Sequence, residues 1–174
     1  MALEEILNFI PPPAAAVDTS GDWAIAEQQF GLTFPTDYKQ FIETYGSGEF
    51  QRGLVVANLL TQEGRDKVCA DLSRYAELQA ACEHEYILHP ERPGLFPWGS
   101  DENGHLYCWW TEGEPDQWGI VQLYHRCEDA PLKIFPGPLT SFFVRFMSNA
   151  YTNMLGGIEF EPDQLRFTRG RQPV

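Results

Sequence analysis

Basic residues are scarce in this chain of 174: 12 Lys and Arg stand against 25 Asp and Glu, giving a formal charge of −13 and a pI near 4.6. A surface that grips phosphates needs clustered Lys and Arg, so neither nucleic acid nor anionic membrane is expected as a direct ligand. No apolar run approaches the roughly 20 residues that cross a bilayer. The N-terminus, MALEEILNFIPPP, carries Glu4 and Glu5 where a secretory leader carries Lys or Arg. The expected compartment is therefore the cytoplasm. Cysteine is sparse as well. Cys69, Cys82, Cys108 and Cys127 are widely spaced with no CxxC pair, which predicts reduced thiols rather than a disulfide framework. There is no internal repeat and no Gly/Ser-rich linker.

What is present is core material: 43% hydrophobic and 14% aromatic residues. A chain of this mass can bury about 70% of its surface, enough for one folded domain. All 25 acidic residues fall within residues 1–163, whereas Arg166, Arg169 and Arg171 lie in the tail beyond them. The body is thus more acidic than the total charge shows. Such a field speeds encounter with a basic protein partner, although acidity also serves solubility alone.

Periodicity supplies the elements. Residues 3–10 form a short amphipathic turn or helix ended by Pro11–Pro13. Ser20 is placed to cap a helix with Trp23, Ala26 and Phe30, stopped by Gly31. In FPTDYKQFIETYGSGEF, Tyr38, Phe41, Ile42 and Tyr45 fall at i, i+3, i+4 and i+7, which predicts a helix stopped by Gly46. Residues 53–60 read as a buried strand and 62–83 as a long helix. Strands follow at 95–99, 105–111, 118–124 and 132–135, with Asn103-Gly104 as a hairpin turn. Pro138 opens a last helix with Leu139, Phe142, Phe143 and Phe146 on one face. A short strand at 158–160 and a loose basic tail after Phe167 complete the reading. The fold class is α+β, a single domain with a mainly antiparallel sheet packed against helices on one face.

Catalytic spacings fail. His84 and His89 are five apart, about 140° around a helix, whereas a zinc-protease pair needs four. Cys82, His84 and His89 could meet only in a loop. Asp101–Gly104 puts its glycine too early for a calcium loop. Gly46-Ser47-Gly48 follows a helix and lacks the lysine of a phosphate loop. No cofactor, metal or catalytic residue is assigned, and a hydrolase built on a carboxylate pair or on those histidines is the weakest reading.

One constellation stands out. TEGEPDQWG places Glu112, Glu114 and Asp116 on alternate positions beside Trp109, Trp110 and Trp118. An extended chain would set the three carboxylates on one side, where they stay solvated or meet a cation. Aromatic anchors with acidic neighbours suit a protein-binding surface. Trp109 and Trp110 cannot both point inward, because adjacent strand residues face opposite ways. Trp98 and Trp109 are assigned to the core; Trp110 and Trp118 remain open. The partner-binding footprint is read as Asp101, Glu102, Glu112, Glu114, Asp116 and Trp118.

Gly31, Leu32, Pro35, Asp37, Tyr38, Phe41, Tyr45, Gly46 and Gly48 together resemble the signature of the SUKH superfamily, the Smi/Knr-type domain. Its pattern is a Gly-Leu-Pro entry, a D-Y-x-x-F helix and a Y/N-G-x-G turn. Trp23 and Glu27 sit where that family has a tryptophan-containing helix. Phe96–Trp110 is similar to its central hairpin, and Phe142–Phe146 to its closing S-F-x-x-F helix. Phe34 before the proline is a departure. The resemblance covers roughly residues 20–150 and implies a SUKH-like domain at 20–155, with extensions at 1–19 and 156–174. It also implies a non-catalytic binding protein. Bacterial members are often immunity proteins that neutralise a toxin, frequently a nuclease, and fungal members are regulatory hubs of cell-wall synthesis and signalling. The expected partner is a basic toxin domain, with a regulatory scaffold as the alternative.

Overall fold

The computed structural model describes residues 2–50, 53–126, 132–151, 161 and 165–169. In chain order these form α1 (Ala2–Phe9), α2 (Trp23–Phe30), α3 (Thr36–Tyr45), β1 (Gly48–Phe50), β2 (Leu54–Val56), α4 (Gln62–Cys82), β3 (Leu95–Ser100), β4 (Leu106–Trp110), β5 (Gly119–Leu123), β6 (Leu132–Phe135), α5 (Leu139–Met147) and β7 (Phe167–Thr168). The seven strands make one antiparallel sheet in the order β6-β5-β4-β3-β2-β1-β7. The α+β reading holds.

The stripe predicted on α3 is the floor of the core. Tyr38, Phe41, Ile42 and Tyr45 are all fully buried. Gly46 ends the helix at φ +70°, and a Cβ there would lie 1.9 Å from the Val17 carbonyl oxygen, so only glycine fits. On α2 the cap is Asp22, whose Oδ1 accepts the Ala24 N–H at 2.9 Å, rather than the expected Ser20. Thr61 caps α4 by accepting the Gly64 N–H at 3.0 Å. The strand expected at 53–60 is cut short at Val56. Asn58 Oδ1 takes the Leu60 N–H and turns the chain into that cap.

Helices cover both faces of the sheet, not one. The larger core cluster joins α1, α2, α3 and α5 to Phe96, Trp98, Tyr107, Trp109, Ile120 and Phe135. The opposite face packs Tyr75 of α4, with Tyr86, against Leu95, Leu106, Cys108, Val121 and Leu123. Strand alternation sorts the two sets, so β4 sends Tyr107 and Trp109 one way and Leu106, Cys108 and Trp110 the other.

The described segments nearest the two termini join the body. Ile6 and Ile10 are buried in the main cluster, and Tyr45 donates its hydroxyl to the Ile10 carbonyl at 2.6 Å. Phe167 and Thr168 pair with Phe50 and Glu49 of β1; of the loose tail expected after Phe167, residues 170–174 lie outside the described residues. The strand expected at 158–160 lies outside the described residues. Cysteine chemistry also departs from expectation: Cys69 and Cys108 are free, but Cys82 is disulfide-bonded.

Candidate protein-binding site

The acid–tryptophan segment joins β4 to β5, and its path breaks the alternation that the sequence suggested. Thr111 is buried at the strand end. Its N–H and hydroxyl donate to the Gly94 carbonyl at 2.9 and 2.8 Å, and its Oγ1 accepts the Gly94 N–H at 3.1 Å. Gly113 then takes φ +74°, and Pro115–Gln117 closes a 3-10 turn. A chain that bends twice cannot hold residues 112, 114 and 116 on one side, so the three carboxylates have three different surroundings.

Glu112 is exposed and its Oε2 accepts the Trp110 indole N–H at 2.9 Å. Glu114 is exposed, and its main-chain carbonyl accepts the Gln117 N–H at 2.9 Å. Asp116 is exposed but bonded within the fold: Oδ1 accepts the Thr36 N–H at 2.6 Å and Oδ2 the Thr36 hydroxyl at 3.0 Å. Pro35 gives α3 no side-chain cap of its own, so Asp116 supplies it from 80 residues away. A relay follows, because Asp37 in the first turn of α3 does the same for α5. Its Oδ2 accepts the Thr140 N–H and hydroxyl, both at 2.9 Å, and α5 likewise begins after an uncapped proline.

Trp118 is not an exposed anchor. It is 4% exposed, its ring lies 6.2 Å from that of Trp109, and its indole N–H donates to the Gly113 carbonyl at 3.2 Å. The double bend places it on the face of the larger core cluster. Trp110, directed to the other face and only partly buried, is the tryptophan available at the surface.

Asp101 and Glu102 belong to the other end of β4, about 14 Å of strand away. The Asn103-Gly104 turn forms as expected, with Gly104 at φ +85°. Asp101 organises it: Oδ1 accepts the Asn103 and His105 N–H groups, each at 3.0 Å, and Oδ2 the Tyr107 hydroxyl at 3.2 Å. Burial, and secondarily this carboxylate, pushes the Tyr107 phenol far above the ordinary tyrosine range. His105 is held below the usual histidine value, mainly by burial, and its Nδ1 lies 3.2 Å from His125 Nδ1. Glu102 is exposed. The six residues read as one footprint therefore divide between two ends of the sheet. Glu112 and Glu114 remain as exposed acids of the same turn, Glu112 beside Trp110.

The metal reading of Cys82, His84 and His89 finds no support. Cys82 is in a disulfide, and the His89 ring packs on Phe30 and Phe96 at 6.1 and 5.2 Å. Among the described residues no three His, Cys, Asp or Glu side chains converge on a metal position. No helix in that set is long and apolar enough to cross a membrane.

One concavity escaped sequence reasoning. A groove of about 710 Å³ runs between the first turns of α4 and the β1–β2 hairpin, lined among others by Asp18, Ser47, Glu49, Asn58 and Lys67. Asn58 is 4% exposed and ties its walls together, donating to the Asp18 carbonyl at 2.9 Å and to Ser47 Oγ at 3.0 Å. The Gly46-Ser47-Gly48 turn was the only local sign of it.

Compared with curated proteins, the chain has no match. A SUKH family model described as SMI1-KNR4 cell-wall matches residues 20–137, about two thirds of the chain, from just before α2 to the loop after β6. The chain belongs to the SMI1-KNR4 (SUKH) family.

Proposed function

We propose that this protein is a non-catalytic immunity protein that binds a basic toxin domain stoichiometrically and blocks it. The observation that carries the reading is the Trp110–Glu112 clamp: an indole held partly exposed by a carboxylate, next to a second exposed carboxylate, Glu114, on a turn fixed at both ends. Rigid aromatic anchors supply contact area at low entropic cost, and surrounding acids supply orientation and encounter rate. Family membership and the surplus of acid support a protein partner of opposite charge. Asp101 and Asp116 are set aside from the contact because their oxygens cap turns and helices within the fold. The cytoplasm is the proposed compartment, and reducing conditions there would act on the Cys82 disulfide.

The test is rescue by co-expression. The toxin-like product of the neighbouring reading frame should kill alone and be silenced by this chain. Glu112→Lys with Glu114→Lys should weaken rescue while the protein stays folded. Unimpaired rescue by that double variant rejects the footprint. A neighbouring frame with a housekeeping product, together with modest affinity for a host protein, would replace immunity with a regulatory scaffold of the Smi/Knr type.

A further inference from the structure

The groove beside the first turns of α4 is a built concavity. On β1 and β2 the residues Gly48, Phe50, Leu54 and Val56 are buried toward the main core. Glu49 and Val55, directly opposite each other, therefore look out on the second face of the sheet, and each is only partly buried. They floor the groove, and Glu63 and Lys67 of α4 stand on its wall. Its volume of about 710 Å³ falls inside the range of about 300–1,000 Å³ typical of clefts that hold ligands.

The walls are fixed before anything binds. Asn58 donates to the Asp18 carbonyl at 2.9 Å and to Ser47 Oγ at 3.0 Å, and its Oδ1 accepts the Leu60 N–H at 3.0 Å. A Cβ on Gly64 would lie 2.0 Å from the Asn58 carbonyl oxygen, so α4 meets this crosspiece backbone to backbone. The positive end of α4 already has the Thr61 cap on its Gly64 N–H and Glu63 in its first turn, which disfavours a bound anion. Lys67 is held by Asp71 at 2.7 Å. Among the described residues, by contrast, no hydrogen bond or ion pair engages the carboxylates of Asp18, Glu49 and Glu63 or the guanidinium of Arg169. Unpaired charge in the groove is therefore acidic on balance. No three acids converge on a metal position, so they are spread along the groove.

We infer that the groove takes lysine or arginine side chains from an extended segment of a protein partner. The aliphatic stem of such a side chain lies on Val55, and its head group meets Glu49. The inference rests on the protein-binding reading and adds a contact on the other side of β3 from the β4–β5 turn. A fixed acidic groove loses little freedom on binding, and the overall charge of −13 favours the same occupant.

The experiment titrates the isotopically labelled full chain with the blocked peptide Ala-Arg-Ala-Arg-Ala and with Ala-Glu-Ala-Glu-Ala, followed by amide NMR. The arginine peptide should shift Glu49, Val55 and Gly64, and the glutamate peptide should not. Glu49→Lys should weaken binding at least about tenfold and Glu49→Gln about threefold, whereas Arg169→Gln should strengthen it about twofold. Glu112→Lys with Glu114→Lys should leave the groove shifts in place. Shifts that map instead to Glu112 and the Trp110 indole, unchanged by Glu49→Lys, would overturn the groove contact and leave the protein-binding reading standing. The same holds if neither peptide binds and Glu49→Lys still silences the toxin in full. Groove shifts with the glutamate peptide that Arg169→Gln removes would overturn it by making the groove an anion site. Self-association abolished by Glu49→Lys in sedimentation would overturn it by making a second copy the occupant. Groove shifts that persist while rescue fails would count against immunity alone.

Discussion

Asp116→Ala separates a structural carboxylate from the neighbouring Glu112 and Glu114 proposed to meet the partner. Asp116 accepts the Thr36 N–H at 2.6 Å and the Thr36 hydroxyl at 3.0 Å, at a helix start whose own cap is proline. Loss of an N-terminal cap costs about 1 kcal/mol, within a range of roughly 0.5–2. A carboxylate at a helix start adds about 0.3–1 kcal/mol through the helix dipole, and the exposed setting favours the lower part of that range. The sum is about 1.5–2 kcal/mol, or a fall in Tm of about 3–8 °C for a domain of this size. The expected ordering in urea unfolding is Asp116→Ala well below wild type, with Glu112→Ala and Glu114→Ala within about 0.5 kcal/mol of it. A double-mutant cycle with Thr36→Val should recover a coupling of about 1 kcal/mol. Equal stability for Asp116→Ala and Glu114→Ala, with no coupling to Thr36, would refute the assigned division among the three carboxylates.

The two surface-candidate tryptophans should part in the same way. Trp118→Ala empties a core position and should cost about 3–5 kcal/mol, whereas Trp110→Ala should cost about 1 kcal/mol in urea unfolding yet weaken partner binding about thirtyfold by calorimetry. Alkaline pH should destabilise the protein. Burial pushes Tyr45 and Tyr86 up to about 12 and raises Tyr38, Tyr75 and Tyr107 further. Between about pH 10 and about 12 the unfolded chain therefore loses phenolic protons that the folded one keeps, and stability falls as pH rises. Urea midpoints and tyrosinate absorbance should change together, and tyrosinate formation without loss of stability would contradict this. Iodoacetamide with peptide mapping should label exposed Cys69 in the native protein and leave Cys108 unmodified, since burial raises its thiol well above the usual value. Native labelling of Cys108 would contradict its placement in the core.

Legibility followed the range of the interactions. The α3 stripe, the Gly31 and Gly46 stops, the Asn103-Gly104 hairpin and the aromatic face of α5 are local patterns, and each forms where periodicity or turn chemistry put it. The hairpin partner β1 was hidden because Gly46-Ser47-Gly48 reads as a turn, although its third residue already starts a strand. Which way Trp118 faces depends on the two bends at Gly113 and Pro115–Gln117, and strand parity is not transmitted through a turn of that shape. Asp116 on Thr36 and Asp37 on Thr140 are caps made across 80 and 103 residues. No spacing rule reaches that far, so Asp116, read as free for a partner, is an exposed carboxylate already engaged as a helix cap. The cover on the second sheet face is not legible in α4 alone, because its spacing marks Tyr75 as buried without fixing which face of the sheet it meets.

The acidic, tryptophan-anchored turn is proposed to bind a basic partner without catalysis. Stopped-flow association of this chain with the cationic toxin domain, measured across ionic strength, tests it most directly. Association should be fast and should slow steeply with added salt. Glu112→Lys with Glu114→Lys should lower the low-salt rate at least about tenfold and flatten that slope. An unchanged rate and slope in the double variant, or no complex at any salt concentration, would contradict it.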